Sequence, residues 1–398
     1  MAYQYSKQPW KALYLAFQVP VTLFVRLPVW AVTYIFPSAR PRPTWSWRHA
    51  IAVALLRRVT ATAALVGGFG PVPNHRAITP AKNGEGVWID GVPHLITAEL
   101  KVWTTLSNVE PIRIPGYWLG KKGISHIPDS PVQPGKKVFI FFHGGGYTVE
   151  CAHPDGGTAN IPRALIELDP RIPRALAVEY RLSSTHPLLD RHPFPTALLD
   201  ALAGYNYLVN VVGYSPHDII AAGDSAGGNL ALALVRYLTE SVSATEVSLP
   251  GPPGGLLLFS PWTDLSNSHD TPGSSFLTNT MDFLDDGGEG SFVSYCKQAF
   301  LGPYGLGMAS CNRYISPACM HPSVQARFKG FPRTLITAGD AERLLDQIRT
   351  LRNRMAIDMG ADKVTYYEAT DAIHDCLAFP WDPACPATLK AIQQWLAQ

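Results

Sequence analysis

A chain of 398 residues is long enough for one large domain with extra segments, or at most two domains. With 46% hydrophobic and only 16% charged residues it has the makeup of a packed globular protein, which excludes a mostly disordered chain. A formal net charge of +2 gives no electrostatic case for a nucleic-acid partner, and six cysteines without a CxxC pair give none for a metal or redox centre.

The N-terminus comes first and is unusual. Residues 12–36 are apolar and aromatic, interrupted by Arg26 and by Pro20 and Pro28. A central Arg costs about 2.5–3.5 kcal/mol on insertion scales, and the apolar run before it is shorter than the roughly 20 residues a span needs. No small-x-small cleavage site follows closely, so a signal peptide fits poorly. The expectation is a segment that covers a binding site or makes peripheral membrane contact through residues 1–36. A true span and a cleaved signal are the alternatives. Lack of a clear signal peptide points to the cell interior, with membrane association.

A Pro-rich stretch at 37–43 separates this segment from an expected helix at 51–64. A second Gly/Pro-rich stretch, 67–80, then leads into the body, so Pro80 is the expected boundary between residues 1–80 and 81–398. Beyond it, strands are expected at 137–142, 176–180, 218–222, 256–259, 334–337 and 364–367. They are continuous apolar runs, as parallel strands covered on both faces require. A helix at 342–359 shows apolar residues at three- and four-residue steps (Leu344, Ile348, Leu351, Met355, Met359) and stops at Gly360. Alternating strand and helix imply an α/β fold with a mostly parallel central sheet flanked by helices. Residues 264–316 break the rhythm. They carry no clear strand, only a helix near 292–300, and read as an insertion above the strand ends. The cysteines are expected as thiols, although a disulfide within residues 296–319 is possible in a secreted protein.

Gly223-Asp224-Ser225-Ala226-Gly227 follows an apolar strand and opens an Ala/Leu-rich helix. This is the setting of a nucleophile elbow, in which small neighbours let a serine occupy a strained turn at a helix N-terminus. A strand-to-helix turn that merely packs is the bland alternative. His143-Gly144-Gly145-Gly146-Tyr147 follows another strand, and its glycines permit backbone N–H groups to face a cavity where an oxyanion develops. HGGG some 80 residues before GxSxG is far less probable by chance than either motif alone.

A serine hydroxyl needs a base. In this arrangement the order is Ser, acid, His, which leaves His269, His321 and His374 after Ser225. His374 stands just after the last expected strand and is the choice, because His269 falls in the insertion and His321 before a surface-like stretch. The acid should follow the strand at 334–337. Asp340 and Glu342 both qualify by location, whereas Asp346 lies deeper in the helix and reads as a surface charge.

These motifs, with Tyr180-Arg181-Leu182, His192-Pro193-Phe194-Pro195, Ser260-Pro261-Trp262 and Ile373-His374 in the same order, resemble the hormone-sensitive-lipase-like family of α/β-hydrolases. The resemblance covers residue 137 to the C-terminus. It implies an oxyanion hole from the N–H groups of Gly145, Gly146 and Ala226, supported by Gly144. Matching Leu344 and Asp346-Gln347 to the family's D-P-L-x-D-E places Glu342 at the acid position, with Asp340 as the alternative. It also implies a cap built from the N-terminal helices and the insertion. Asp375-Cys376 stands where the family usually has Gly-Phe.

The resulting expectation is a serine hydrolase of small-molecule esters with an apolar acyl or alcohol part, using Ser225, His374 and Glu342, with no cofactor and no metal. An acyltransferase using the same residues is the alternative. A ligand receptor on this fold is the less expected reading, since such proteins lose a triad member and Ser225, His374 and an acid are all present. A membrane-anchored structural protein would leave HGGG and GDSAG unexplained.

Overall fold

The computed structural model describes residues 1–69, 72, 74–121, 132, 134–241 and 247–398; Gly70, Pro71 and Pro73 of the expected linker lie outside them. Among the described residues, eight strands form one sheet in the order β1-β2-β4-β3-β5-β6-β7-β8. β3 (Val138–Phe142), β4 (Arg174–Val178), β5 (Ile219–Asp224), β6 (Gly255–Phe259), β7 (Thr334–Gly339) and β8 (Val364–Ala369) are the six expected strands, all parallel. β1 (Glu85–Ile89) and β2 (Ile114–Gly120) extend the sheet antiparallel at one edge and were not expected. β2 reads IPGYWLG, and although it is paired on both sides its Pro and Gly weaken the strand signal in the sequence.

Residues of β3 alternate between the two faces. Val138, Ile140 and Phe142 join the core under α6 (Thr196–Asn206), α7 (Ala226–Glu240) and α10 (Leu345–Met359). Phe139 and Phe141 join the core under α5 (Asn160–Leu168) and α11 (Cys385–Leu396). Every residue of β3, β5, β6 and β7 is buried, which explains why these strands read as unbroken apolar runs.

The N-terminal run forms α1 (Trp10–Val21), a π-helical turn (Thr22–Arg26) and α2 (Leu27–Thr33). The prolines do not break it. Pro20 lies in the last turn of α1, just before the π-turn, and Pro28 stands just after it at the start of α2. α3 (Trp47–Val66) follows, with Ser46 accepting the His49 N–H at 3.1 Å as N-cap and Gly67 in the left-handed conformation as stop. Ala50, Val53 and Ala54 of α3, with Tyr34 and Trp45, pack against Ala341 and Ile373 in the loops after β7 and β8. α4 (Ala98–Leu106) precedes β2. The stretch 264–316 contains α8 (Ser275–Thr278) and α9 (Phe292–Leu301) and no strand. All six cysteines are free thiols, five of them buried.

The carboxyl ends of β3, β5, β6, β7 and β8 therefore deliver His143, Ser225, Ser260, Glu342 and His374 to one edge of the sheet. Strand order reverses between β3 and β5, where open α/β sheets leave a crevice for a ligand.

Candidate active site

Ser225 joins β5 to α7 with φ +49° and ψ −116°, a conformation that costs on the order of 1–3 kcal/mol. The residues two before and two after it must be glycine. A Cβ on Gly227 would stand 1.9 Å from the Phe142 carbonyl oxygen, and one on Gly223 would stand 2.4 Å from Gly227. The turn is held by the Ser225 N–H donating to the Phe259 carbonyl at 2.9 Å and by Ser225's own carbonyl accepting the Trp262 N–H at 2.9 Å.

Ser225 Oγ lies 2.9 Å from His374 Nε2, and both are buried, at 7% and 1% exposure. On the far side of the ring, Nδ1 faces Glu342 Oε1 at 3.6 Å. Glu342 is fully buried at the start of the turn before α10, and its Oε2 accepts Ser260 Oγ–H at 2.5 Å and the Gly339 N–H at 2.8 Å. Asp340 points elsewhere. It pairs with Arg42 and accepts the Asp371 N–H at 2.8 Å. Of the two carboxylates that qualify by location, Glu342 is therefore the one beside the imidazole. His269 and His321 lie apart from Ser225. His269 bonds Asp264 at 2.6 Å and Thr350 at 2.9 Å, and His321 bonds Ser323 at 2.6 Å.

The glycine loop stands beside the serine. Gly145 and Gly146 have φ of +95° and +60°, which glycine adopts without a Cβ penalty. The Gly144 N–H donates to Asp224 Oδ2 at 3.0 Å, and a Cβ there would strike that oxygen at 2.4 Å. Asp224 thus ties the loop to the elbow. Its carboxyl is held well above the usual range by burial and then by the nearby Asp375 charge. His143 lies beneath the loop, stacked on Tyr180 at 4.3 Å, and burial pushes its imidazole down to about 4. It serves there as a neutral ring. The first N–H groups of α7, Ala226 included, have no acceptor within the helix.

Three further side chains complete the surroundings. Asp375 Oδ2 sits 3.1 Å from His374 Nε2, the nitrogen that also faces Ser225. Ser260 links both loops, because its Oγ also accepts the Asp375 N–H at 3.1 Å. Asp282, from the insertion, accepts the N–H groups of Arg343 at 2.8 Å and His374 at 3.3 Å, and burial raises it to about 6. The Ser260 motif was visible in the chain but its hydrogen bonds were not. Asp282 carried no signal at all. Burial alone would push the His374 imidazole down, but Asp375 and then Glu342 outweigh it and hold the ring well above its ordinary value. Among the described residues, no three His, Cys, Asp or Glu side chains are grouped to hold a metal ion.

Residues 139–378, more than half of the chain, match the protein family described as the alpha/beta hydrolase fold. The chain belongs to that family. This α/β-hydrolase carries the HGGG and GDSAG motifs of the hormone-sensitive-lipase-like branch. It is 28% identical over 228 residues to "Esterase LipU" of Mycobacterium tuberculosis, covering 57% of this chain and 66% of the relative. It is 29% identical over 225 residues to "Esterase" of Acinetobacter venetianus, covering 55% and 61% respectively. The α/β-hydrolase thus spans less than two thirds of either relative's length. Its fold is similar to that in "Crystal structure of Esterase/Lipase from uncultured bacterium", with TM-score 0.57 and 23% identity over 87% of this chain and 97% of that one. "Crystal Structure Hormone-Sensitive Lipase from a Metagenome Library" gives TM-score 0.56 and 20% identity over 94% and 97%.

Proposed function

We propose that this protein hydrolyses carboxylic esters with an apolar acyl or alcohol part through an acyl-enzyme on Ser225. The observation that carries the reading is the 2.9 Å contact from Ser225 Oγ to His374 Nε2 at the head of α7. His374 takes the serine proton as Oγ attacks the ester carbonyl. The oxyanion is met by the N–H groups of Gly145, Gly146 and Ala226, donors each worth about 2.7–4 kcal/mol in such sites. His374 then protonates the departing alcohol, and water activated by the same ring releases the acid. Glu342 orients the imidazole and stabilises its charged form.

Residues 1–80 and 264–316 act in this reading as a cap on the catalytic body, 81–398. Supporting this, the Ala2 N–H donates to the Gly290 carbonyl at 2.9 Å, and Tyr3 packs on Tyr295 at 4.8 Å. Phe283 of the insertion lies 5.6 Å from the His374 ring. The apolar N-terminus meets a lipid surface, from which an apolar ester arrives. Acyl transfer to an alcohol or amine is a second reading, favoured by the burial of Ser225 and His374, since a site closed to water spares the acyl-enzyme.

Release of p-nitrophenol from a chain-length series of esters by wild type and Ser225→Ala tests the proposal. Turnover that disappears in the variant supports a serine ester hydrolase. No turnover, with a stable acyl group on Ser225 by mass spectrometry, turns the assignment to acyl transfer. Neither turnover nor acylation sinks both.

A further inference from the structure

The N-terminal helices turn their polar side inward. Along α1, the π-turn and α2, Tyr14, Gln18, Thr22 and Arg26 recur at four-residue steps, and all four are at least partly covered. Arg26 Nη1 donates to Gln18 Oε1 at 2.9 Å and to Thr22 Oγ1 at 3.1 Å. Arg58, on α3, donates to the same Gln18 oxygen and to the Tyr14 hydroxyl at 3.2 Å. The opposite side is apolar and open: Phe17 is 61% and Phe24 78% exposed, with Leu13, Leu23, Val29 and Val32 beside them. A helix on a protein surrounded by water shows the reverse pattern. Polar groups turned to the protein and apolar groups turned out are what hydrocarbon surroundings select.

Charge is divided the same way. Ten of the 33 Lys and Arg residues, and none of the 31 Asp and Glu residues, precede Glu85. The first 84 residues therefore carry a formal +10 and the remainder −8, a division that favours an anionic surface on the N-terminal side.

The helices are also fastened to the catalytic loops. Arg40 caps the end of α2 by donating to the carbonyls of Tyr34 at 2.8 Å and Ile35 at 3.1 Å. Arg42 then holds Asp340, donating also to its carbonyl at 2.7 Å. Thr44 Oγ donates to Asp371 Oδ1 at 2.8 Å, and Trp45 Nε1 to the Asp371 carbonyl at 3.0 Å. Asp340 and Asp371 stand two and three residues before Glu342 and His374.

We propose that α1, the π-turn and α2 lie in one leaflet of an anionic bilayer, apolar side inward, and present the catalytic loops to esters dissolved in that membrane. The substrate half of this rests on the ester-hydrolase reading, whereas the docking half does not. A 24-residue helix is about 36 Å long and could cross a bilayer. α3 is also long and apolar enough to cross, but Ala50, Val53 and Ala54 hold it against Ala341 and Ile373 of the catalytic loops. Crossing by α1 and α2 alone would strip Tyr14 and Gln18 from Arg58, and lying along the surface keeps these bonds.

The test is flotation of the full chain with vesicles of phosphatidylcholine alone or mixed with phosphatidylserine, for wild type and F17D/F24D. Both substituted side chains are exposed, and equal turnover of p-nitrophenyl acetate by the two proteins checks that the fold is kept. Wild type floats with the anionic vesicles and is weakened by salt, and the variant's partitioning falls by at least roughly a hundredfold. Hydrolysis of a long-chain ester carried in those vesicles falls with it. Wild type that stays unbound, or a variant that floats equally, overturns the docking. A dimer dissociated by F17D/F24D, without flotation, gives the face to a second copy and overturns it too. Flotation without turnover of any ester leaves docking standing and removes the substrate half.

Discussion

Asp375 Oδ2 and Ser225 Oγ approach the same nitrogen, His374 Nε2, at 3.1 and 2.9 Å. An imidazole between Glu342 and Asp375 is favoured in its charged form, and it must be neutral to accept the serine proton. With the ring held above its ordinary value, turnover is lost as pH falls through that raised value and gained as pH rises. Asp375→Asn removes one carboxylate charge and keeps the shape. We expect the acid limb of kcat/KM against pH to move to lower pH in this variant. An unmoved limb would show that Asp375 does not set the charge on His374.

Glu342 and Asp340 lie two residues apart and should separate cleanly by their variants. Glu342→Ala removes the carboxylate facing Nδ1 and leaves Ser260 Oγ–H and the Gly339 N–H without their acceptor. We expect kcat to fall roughly 10³- to 10⁴-fold. Asp340→Ala releases Arg42 and the Asp371 N–H instead, so its main effect is on stability, a Tm lower by a few degrees with kcat little changed. Steady-state kinetics and thermal unfolding of both variants decide it, and the reverse ranking would reassign the acid.

The difference between those two residues marks where sequence reading stops. The readings of Ser225 and of the HGGG loop each rest on a fully buried strand just before them, whereas His374 follows β8, whose middle is only half-buried, and was chosen by its order along the chain. Choosing Glu342 needed an aligned motif, since order along the chain places Asp340 equally near the strand end. What separates them is the direction of two side chains in one tight turn. Asp282 comes 92 residues before His374, and only the folded insertion brings it to that backbone N–H. β2 was hidden for a different reason: its Pro and Gly weaken the local signal, and pairing with β4 supplies what the segment lacks.

A second buried carboxylate bears on stability. Burial pushes Glu179 up to about 8, and its Oε2 accepts the Ala152 N–H at 2.8 Å. In the unfolded chain a Glu titrates near ~4.3. Between those values the folded protein holds a proton that the unfolded chain has released, so this group's contribution falls as pH rises across that window. Glu179→Gln keeps an acceptor for Ala152 and cannot ionise. We expect it to raise stability at pH 8 by on the order of a few kcal/mol relative to wild type, with little difference at pH 4. Thermal unfolding at both values is the measurement. An equal loss at both would mean that Gln fits the site badly and that ionisation of Glu179 matters little.

Gly146 offers the sharpest test of the oxyanion loop. Its φ is +60°, and a Cβ there would stand 2.6 Å from Cys296 Sγ and 3.1 Å from Cys296 Cβ on α9. Gly146→Ala therefore forces either α9 outward or the loop inward, and the loop is the lighter element. A displaced N–H costs about 10²- to 10³-fold in kcat where it served the oxyanion. The backbone strain on alanine is smaller, roughly 1–2 kcal/mol, so the variant should remain folded. Adding Cys296→Ala opens space for the new methyl group and should recover part of the lost turnover. Full activity in Gly146→Ala would remove its N–H from the proposed oxyanion hole. Loss without recovery in the double variant would assign the damage to the altered φ or to the remaining Cys296 Cβ, and not to the sulfur.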